Sequence, residues 1–421
     1  MTLPDTWVEA RLDQIAEVIL GQSPPGTSYN TEALGVPFLQ GKAEFGHLRP
    51  TIRQWTSEPK KMASADDVLL SVRAPVGPTN LAALDCSIGR GLAALHPLGE
   101  IPSSYVLWGL RATAGALTEL ATGTTFAAVG GPTVRAHLLP VAPLAEQRRI
   151  VDAIEQHFSR LDAAESLLRT TKLRLDQLRR AVLTESIDRP RWPRSALGTI
   201  AALVTDGDHN PPRRVTSGIP HLTAKHIKRG TIVLDGCSFV SEDGFAQTRQ
   251  RYDPQPGDVI VTCVGTIGQI AVVPPDLRFS ADRNLAAVRL TEGNDPRYLQ
   301  LALSSPAQQS AMSGASGSTA QPHLYLRDLR ALTVPTPSSP QQRAIVEVLD
   351  RQLSVIDSMA ADVDEALRRS GALRSSILER AFAGKLVAQE PDDEPASALL
   401  ERISATRARE RVVRRPRKVP S

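Results

Sequence analysis

Cysteine is scarce in this 421-residue chain: Cys86, Cys237 and Cys263 stand far apart and form no Cys-x-x-Cys pair. That spacing excludes a disulfide framework and a structural zinc site, and it points to a reducing compartment. Long apolar runs are missing too. None approaches the ~18 residues of a membrane span, and the start, Met-Thr-Leu-Pro-Asp, has neither a basic n-region nor an apolar h-region. The expectation is a soluble, cytoplasmic protein.

Catalytic signatures are equally thin. Gly265-Thr266-Ile267-Gly268 and its counterpart Ala74-Pro75-Val76-Gly77 precede no Gly-Lys-Ser/Thr and read as strand-connecting turns, not phosphate loops. The eight histidines form no His-Glu-x-x-His, so His221 and His226 read as core or surface residues. Asp206-Gly207-Asp208-His209 lacks the spacing and terminal Glu of a calcium loop. Asn210-Pro211-Pro212-Arg213 has an Arg where the adenine-holding tetrapeptide of amino-methyltransferases carries an aromatic, and no glycine-rich AdoMet loop precedes it. The expectation is a chain with no catalytic residue, no metal site and no bound cofactor.

Charge is unevenly placed. The net +4 and pI near 9.1 arise at the C-terminus, where residues 401–418 hold eight Arg/Lys against Glu401 and Glu410. The remainder holds 41 basic and 43 acidic residues, so any nucleic-acid reading must rest on local clusters.

What the chain does have is a repeat. At a constant offset of 195, Gln147-Arg148 returns as Gln342-Arg343, Ile150-Val151 as Ile345-Val346, Asp162 as Asp357, Leu178-Arg179 as Leu373-Arg374 and Leu183 as Leu378. One inserted residue would rotate a helix by ~100°, so a gap-free register over about forty residues predicts a continuous helix in each copy. Ile154, Leu161, Leu168, Leu175 and Val182 recur every seven residues, as do Leu349, Ile356, Val363, Ser370 and Ile377. The companion positions are expected at His157, Ala164, Thr171 and Leu178, and at Gln352, Met359, Ala366 and Leu373. This period predicts a coiled coil. Because the second domain joins the end of one helix to the start of the other, the helices should run antiparallel, as a pseudo-twofold rod of ~66 Å.

The segments before each helix also match. Trp7, Leu12, Ile15-Ala16 and Val36-Pro37-Phe38-Leu39 are answered by Trp192, Leu197, Ile200-Ala201 and Ile219-Pro220-His221-Leu222. Asp67-Val68-Leu69-Leu70 corresponds to Asp258-Val259-Ile260-Val261, while the polar residues between matches differ. The fold class expected is α+β: similar globular domains at 1–143 and 190–338, each followed by a spacer helix (144–189 and 339–387), then a basic tail at 388–421 that contains a frayed or short helix and is otherwise mobile. Ser104 to Leu120 is expected to be one helix, and Gly384 a helix cap.

Loop cations are the candidate DNA contacts: Lys42, Arg49, Arg53, Arg73 and Arg90 in the first domain, and His209, Arg213, Arg214, Lys225, Lys228, Arg229 and Arg283 in the second. Arg and Lys neutralise phosphates, and Arg can bond guanine O6 and N7 together. Lys42 recurs as Lys225 and Arg90 as Arg283. The Arg90/Arg283 pair also fits a structural role, as buried ion pairs anchoring the shared strand motif.

Pro143-Leu144-Ala145-Glu146-Gln147-Arg148-Arg149-Ile150-Val151, Pro340-Gln341-Gln342-Arg343-Ala344-Ile345-Val346 and the ending Ala381-Phe382-Ala383-Gly384-Lys385-Leu386 resemble the specificity (S) subunits of type I restriction-modification systems. Gly257-Asp258-Val259, Gly265-Thr266-Ile267-Gly268 and Gly317-Ser318-Thr319 are similar to that family's turns, which adds Ser318 to the candidate contacts. The first repeat departs from the pattern at Arg73-Ala74-Pro75-Val76-Gly77 and at Leu183-Thr184-Glu185-Ser186-Ile187. The resemblance implies a non-catalytic subunit whose two target-recognition domains read the halves of a bipartite, asymmetric site on double-stranded DNA. It also implies two methyltransferase (M) subunits and restriction (R) subunits as partners, with AdoMet, ATP and Mg²⁺ chemistry on those partners. The competing readings are the recognition subunit of a two-component nuclease-methylase and a coiled-coil interaction protein that binds no DNA.

Overall fold

A computed structural model describes residues 3–121, 128–210, 212–316 and 322–413. The chain divides into two compact units, 1–167 with 366–421, and 168–365. Each holds one globular domain and half of each long helix.

The first domain folds around an antiparallel sheet of β1 (Ala16–Leu20), β3 (Val68–Ser71), β4 (Thr79–Leu81) and β6 (Leu92–Pro97), in the order β1-β6-β3-β4. Val68-Leu69-Leu70 is buried on both faces, which is why it reads as an unbroken apolar run and not as an alternation. A second sheet contains β2 (Val36–Leu39) parallel to β5 (Cys86–Ile88), paired as Phe38 with Ser87 and Leu39 with Ile88. Val8–Arg11 and Leu138–Val141 pair antiparallel and close the domain beside the first long helix. The expected helix at 104–120 is split at Thr113 into Ser103–Ala112 and Ala114–Glu119. There the Thr113 hydroxyl donates to the Gly109 carbonyl and meets His137 Nε2 at 2.8 Å; such local side-chain bonding competes with continuation of a helix.

The second domain repeats this plan. β7 (Ala201–Asp206), β9 (Val259–Thr262), β10 (Ile270–Val272) and β12 (Leu285–Leu290) take the order β7-β12-β9-β10, and β8 (Ile219–Leu222) runs parallel to β11 (Ser280–Ala281). In both domains a buried aspartate holds the central sheet. Asp258, 1% exposed, accepts two bonds from Arg289 at 2.8 Å and one from the Tyr252 hydroxyl; Asp67 accepts from the Ser64 amide and meets His96 Nδ1 at 2.7 Å. This overturns the buried ion-pair reading of Arg90 and Arg283, both of which are exposed. The anchors are instead Asp67 and Asp258, the aspartates that open the matched strand segments.

Two 44-residue helices, Leu144–Ile187 and Ser339–Phe382, complete the fold. In the first unit Arg374 reaches Asp162 at 2.5 Å and Ser370 donates to Glu165 at 2.7 Å; in the second unit Lys172 pairs with Asp364 and Arg179 with Asp357. Residue numbers rise along one helix as they fall along the other, the mark of an antiparallel pair. Ile154, Leu175, Leu349, Ile356 and Val363 are buried, and Leu161, Leu168, Val182 and Ile377 half-buried.

The companion positions need correction. His157, Ala164, Thr171 and Leu178 face solvent, as do Gln352, Met359 and Leu373, while Ala366 is half-buried. The second stripe lies one position later, at Phe158, Glu165, Lys172 and Arg179 and at Leu353, Ala360, Leu367 and Arg374. Several of these residues join the helices through charge, so apolar periodicity selected the wrong side of the seam.

The tail is also corrected. Gly384 ends the second long helix at φ +67, with Lys385 N bonded to Arg380 O at 2.8 Å. Ala396–Val413 is then a helix whose Ala396, Leu399 and Ile403 join the first domain's core. Arg407 donates to the Asp13 carbonyl at 2.6 Å, and Ala396 N to the Thr6 carbonyl at 3.0 Å. The apolar i, i+3, i+7 set was masked by the density of arginine around it; Arg414, Arg415, Arg417 and Lys418 lie outside the described residues. Glu146, 1% exposed, strengthens the same region by accepting from Trp7 Nε1 at 3.0 Å and from Gln389. Burial raises its carboxyl pKa, a shift those donors oppose.

Candidate nucleic-acid interface

In each domain the parallel strand pair brings three loops to one edge. In the first, Gln22 N bonds to Ile88 O at 3.0 Å and Gly89 N to Leu39 O at 2.8 Å. In the second, Asp208 N bonds to Ala281 O at 2.9 Å and Asp282 N to Leu222 O at 3.0 Å. The loops after β1, β2 and β5 thus meet as do those after β7, β8 and β11. Glycine permits the approach: a Cβ on Gly21 would stand 2.1 Å from Gly89 O, and one on Gly207 would stand 2.2 Å from Ala281 O.

This edge collects Lys42 with Arg90 in the first domain and His209, Lys225 and Arg283 in the second, all exposed. Lys42 opens a short turn over Lys42–Glu44, and Lys225 lies in the matching turn Ala224–His226. Lys225 Nζ donates to Gly236 O at 3.2 Å, and His209 Nε2 lies 2.9 Å from Asp206 Oδ2. Arg213 is exposed on the same loop as His209, while Arg214 is half-buried and donates to Pro212 O at 3.0 Å. Pro211 and Ser318 lie outside the described residues.

The other candidates are more dispersed. Lys228 and Arg229 close the hairpin of Ile227–Lys228 with Thr231–Ile232, where Arg229 (φ +47) and Gly230 (φ +84) take the left-handed conformations of a two-residue turn. Arg229 approaches Asp364 at 3.8 Å. Arg49 is held by Asp66 at 2.6 Å and by Ala82 O at 2.8 Å, so its head is committed to the loop's own structure. Arg53 and Arg73 are exposed, and Arg73 bridges to Ala128.

The sequence pattern weighed Asp206 and Asp208 only as a calcium loop and did not single out Asp282. Asp206 receives Arg251, while Asp208 and Asp282 accept from the Asn210 and Asn284 amides at 2.9 and 2.7 Å. Their signal was the Asp-x-Asn spacing of Asx turns. Beneath this edge, His221 and His226 are 0% and 2% exposed. Burial, then Arg214, pushes His221 down to about 4, and burial also lowers His226; both are neutral near pH 7. No group of three or more His, Cys, Asp or Glu able to hold a metal occurs among the described residues. Burial raises the Cys86 and Cys263 thiols to about 12, which leaves them unreactive. No helix among the described residues is long and apolar enough to cross a membrane.

Each of the two units thus carries an α+β domain of the same plan with a loop edge of its own. Residues 213–367 match the family described as the type I restriction modification DNA specificity domain. The chain is 36% identical over 182 residues to a putative type I restriction enzyme MjaX specificity subunit from Methanocaldococcus jannaschii, a match spanning 42% of this chain and 41% of that protein. It is 24% identical over 447 residues to the type I restriction enzyme EcoBI specificity subunit of Escherichia coli, over 97% of this chain and 94% of that one. A solved chain of a type I R-M system, described in terms of complex assembly and conformational transition, shares the fold at a TM-score of 0.73 and 20% identity, covering 91% of this chain and 100% of its own. Residues 213–367 thus carry the match to that DNA specificity domain, and along most of its length the chain is similar to type I restriction enzyme specificity subunits.

Proposed function

We propose that this chain is the non-catalytic DNA-recognition subunit of a type I restriction-modification complex, reading one half of a bipartite, asymmetric DNA site with each domain. The observation that carries the reading is the duplicated three-loop edge, with Lys42 and Arg90 on one copy and Lys225 and Arg283 on the other. Cations at those positions supply phosphate affinity, and the unlike loops around them supply different base contacts. The helices set the unread spacer between the half-sites.

M subunits, two of them, and R subunits dock on the helices in this reading, and they hold the AdoMet, ATP and Mg²⁺. Leu178 and Leu373, repeat equivalents that are 48% and 52% exposed, support two similar docking places. Binding of the assembled complex to its methylated genomic site is the direct test. Arg213→Ala with Arg214→Ala should weaken cognate binding, and unchanged affinity and sequence preference would remove them from the interface. One heptad inserted in register into both helices should change the preferred spacer; a complex indifferent to it would refute the ruler.

A further inference from the structure

The second domain's loop edge continues past the three loops that define it. Cys263 N donates to Asn284 O at 2.8 Å and Leu324 N to Cys263 O at 2.9 Å, so the segment through Leu324 lies two hydrogen-bonded steps from the Arg283 loop. The first domain has the same ladder, from Val72 N to Gly91 O at 2.9 Å and from Val129 N to Val72 O at 3.0 Å. Val264 bridges to His323 as Arg73 does to Ala128.

The side chains on these matched segments are unlike. His323, Tyr325 and Arg327 stand in the second domain where Ala128, Gly130 and Pro132 stand in the first. His323 and Tyr325 stack with ring centroids 4.3 Å apart and planes 24° apart, and the Arg327 guanidinium lies over the Tyr325 ring at 5.6 Å. Tyr325 is nonetheless 52% exposed, and the Arg327 side chain 83%. Base stacking needs an open ring face, and both neighbours already lie over this one. What the stack can offer is hydrogen-bond donors, the Tyr325 hydroxyl and the Arg327 guanidinium. Arg327 meets Asp328 through Nε at 3.3 Å, so the terminal nitrogens of its fork can take a further oxygen. Ordering those donors before binding lowers the entropy cost of a polar contact.

Neighbouring strands are ~4.8 Å apart, so two steps set this segment ~10 Å from the Arg283 loop, close to the ~12 Å width of a DNA major groove. A duplex read in its groove by one loop would bring a phosphate wall to the other. We propose that Tyr325 and Arg327 bind a backbone phosphate flanking the second domain's half-site. The first domain has Gly130 and Pro132 at the matched positions, so the two half-sites are gripped unequally. This inference rests on the DNA-reading function proposed above.

The test uses the full chain in its assembled complex, with Lys225→Ala/Arg283→Ala as the reference variant. Tyr325→Phe with Arg327→Gln keeps a ring in place and should weaken binding about tenfold to cognate and unrelated duplexes alike, with the salt slope falling by about 1. A methylphosphonate, which removes one phosphate charge, should mark a linkage flanking the half-site whose neutralisation weakens the parent complex and leaves the variant unchanged. If the stack variant binds every duplex as the parent does while the reference variant loses affinity, the phosphate contact is overturned and the DNA reading stands. If neither variant loses affinity, that reading falls and takes this one with it. Loss for cognate DNA alone, at an unchanged slope, assigns the stack to bases and also overturns the proposal, as does release of a partner subunit without any phosphate effect.

Discussion

Arg374 sits between Asp162, at 2.5 Å, and Glu165, at 3.2 Å, with its guanidinium 5.0 Å from the Phe158 ring centroid. One side chain therefore joins the second long helix to both the acidic and the aromatic part of the first. At 19% exposure it is the most sheltered of the paired arginines named here. Arg374→Ala should destabilise the chain by about 1–2 kcal/mol, above a typical surface pair because two acids and a ring lose a partner. A double-mutant cycle with Asp162→Ala, read by urea unfolding, checks it; strict additivity would reduce the contact to packing.

His221 predicts a pH dependence. Burial holds its folded pKa at about 4, below the ordinary imidazole value of 6.5, so the unfolded chain binds the proton more readily in that window. The stability it contributes is complete above pH 6.5 and is lost as pH falls towards 4, by at most about 3 kcal/mol. His221→Gln should flatten thermal stability of the chain over that window, and an unchanged slope would show that other groups govern it.

Gly207→Ala should disrupt the second domain's loop edge, because the new methyl would meet the Ala281 carbonyl at 2.2 Å. The ladder contact from Asp208 N to that same carbonyl must then shift. A loss of about 2 kcal/mol or more is expected, since backbone and not a flexible side chain must move. Thermal unfolding measures the cost, and hydrogen exchange at Asp208 and Asp282 locates it.

Leu399→Asp should release the C-terminal helix. Leu399 is 4% exposed within the first domain's core, so an unpaired carboxylate there is unfavourable by several kcal/mol. Limited proteolysis should cut within 396–413 in the variant and spare the parent; equal resistance would mean that the helix is held by its polar contacts.

Lys225→Ala with Arg283→Ala tests the loop edge apart from the Arg213–Arg214 loop. If both cations meet phosphate, affinity for cognate and unrelated DNA should fall together, and the slope of log affinity against log salt should shrink by about 2. Loss of cognate affinity alone, at an unchanged slope, would assign them to base contacts instead.

The sequence alone settled the large divisions. A gap-free match over about forty residues at an offset of 195 located the two long helices because a helix tolerates no insertion, and apolar heptads such as Ile154 and Leu349 named the buried stripe. The recurrence of Lys42 as Lys225 was visible as well. Tertiary structure decided what hydropathy does not encode. It put Glu165, Lys172 and Arg179 in the seam, because their charges are met by the opposite helix and local pattern cannot see that partner. It folded Ala396–Val413 onto the first domain, where three apolar contacts outweigh the surrounding arginines. It also brought the loops that carry Lys225 and Arg283, far apart in the chain, to one edge, because the parallel pairing of β8 with β11 ends both strands there.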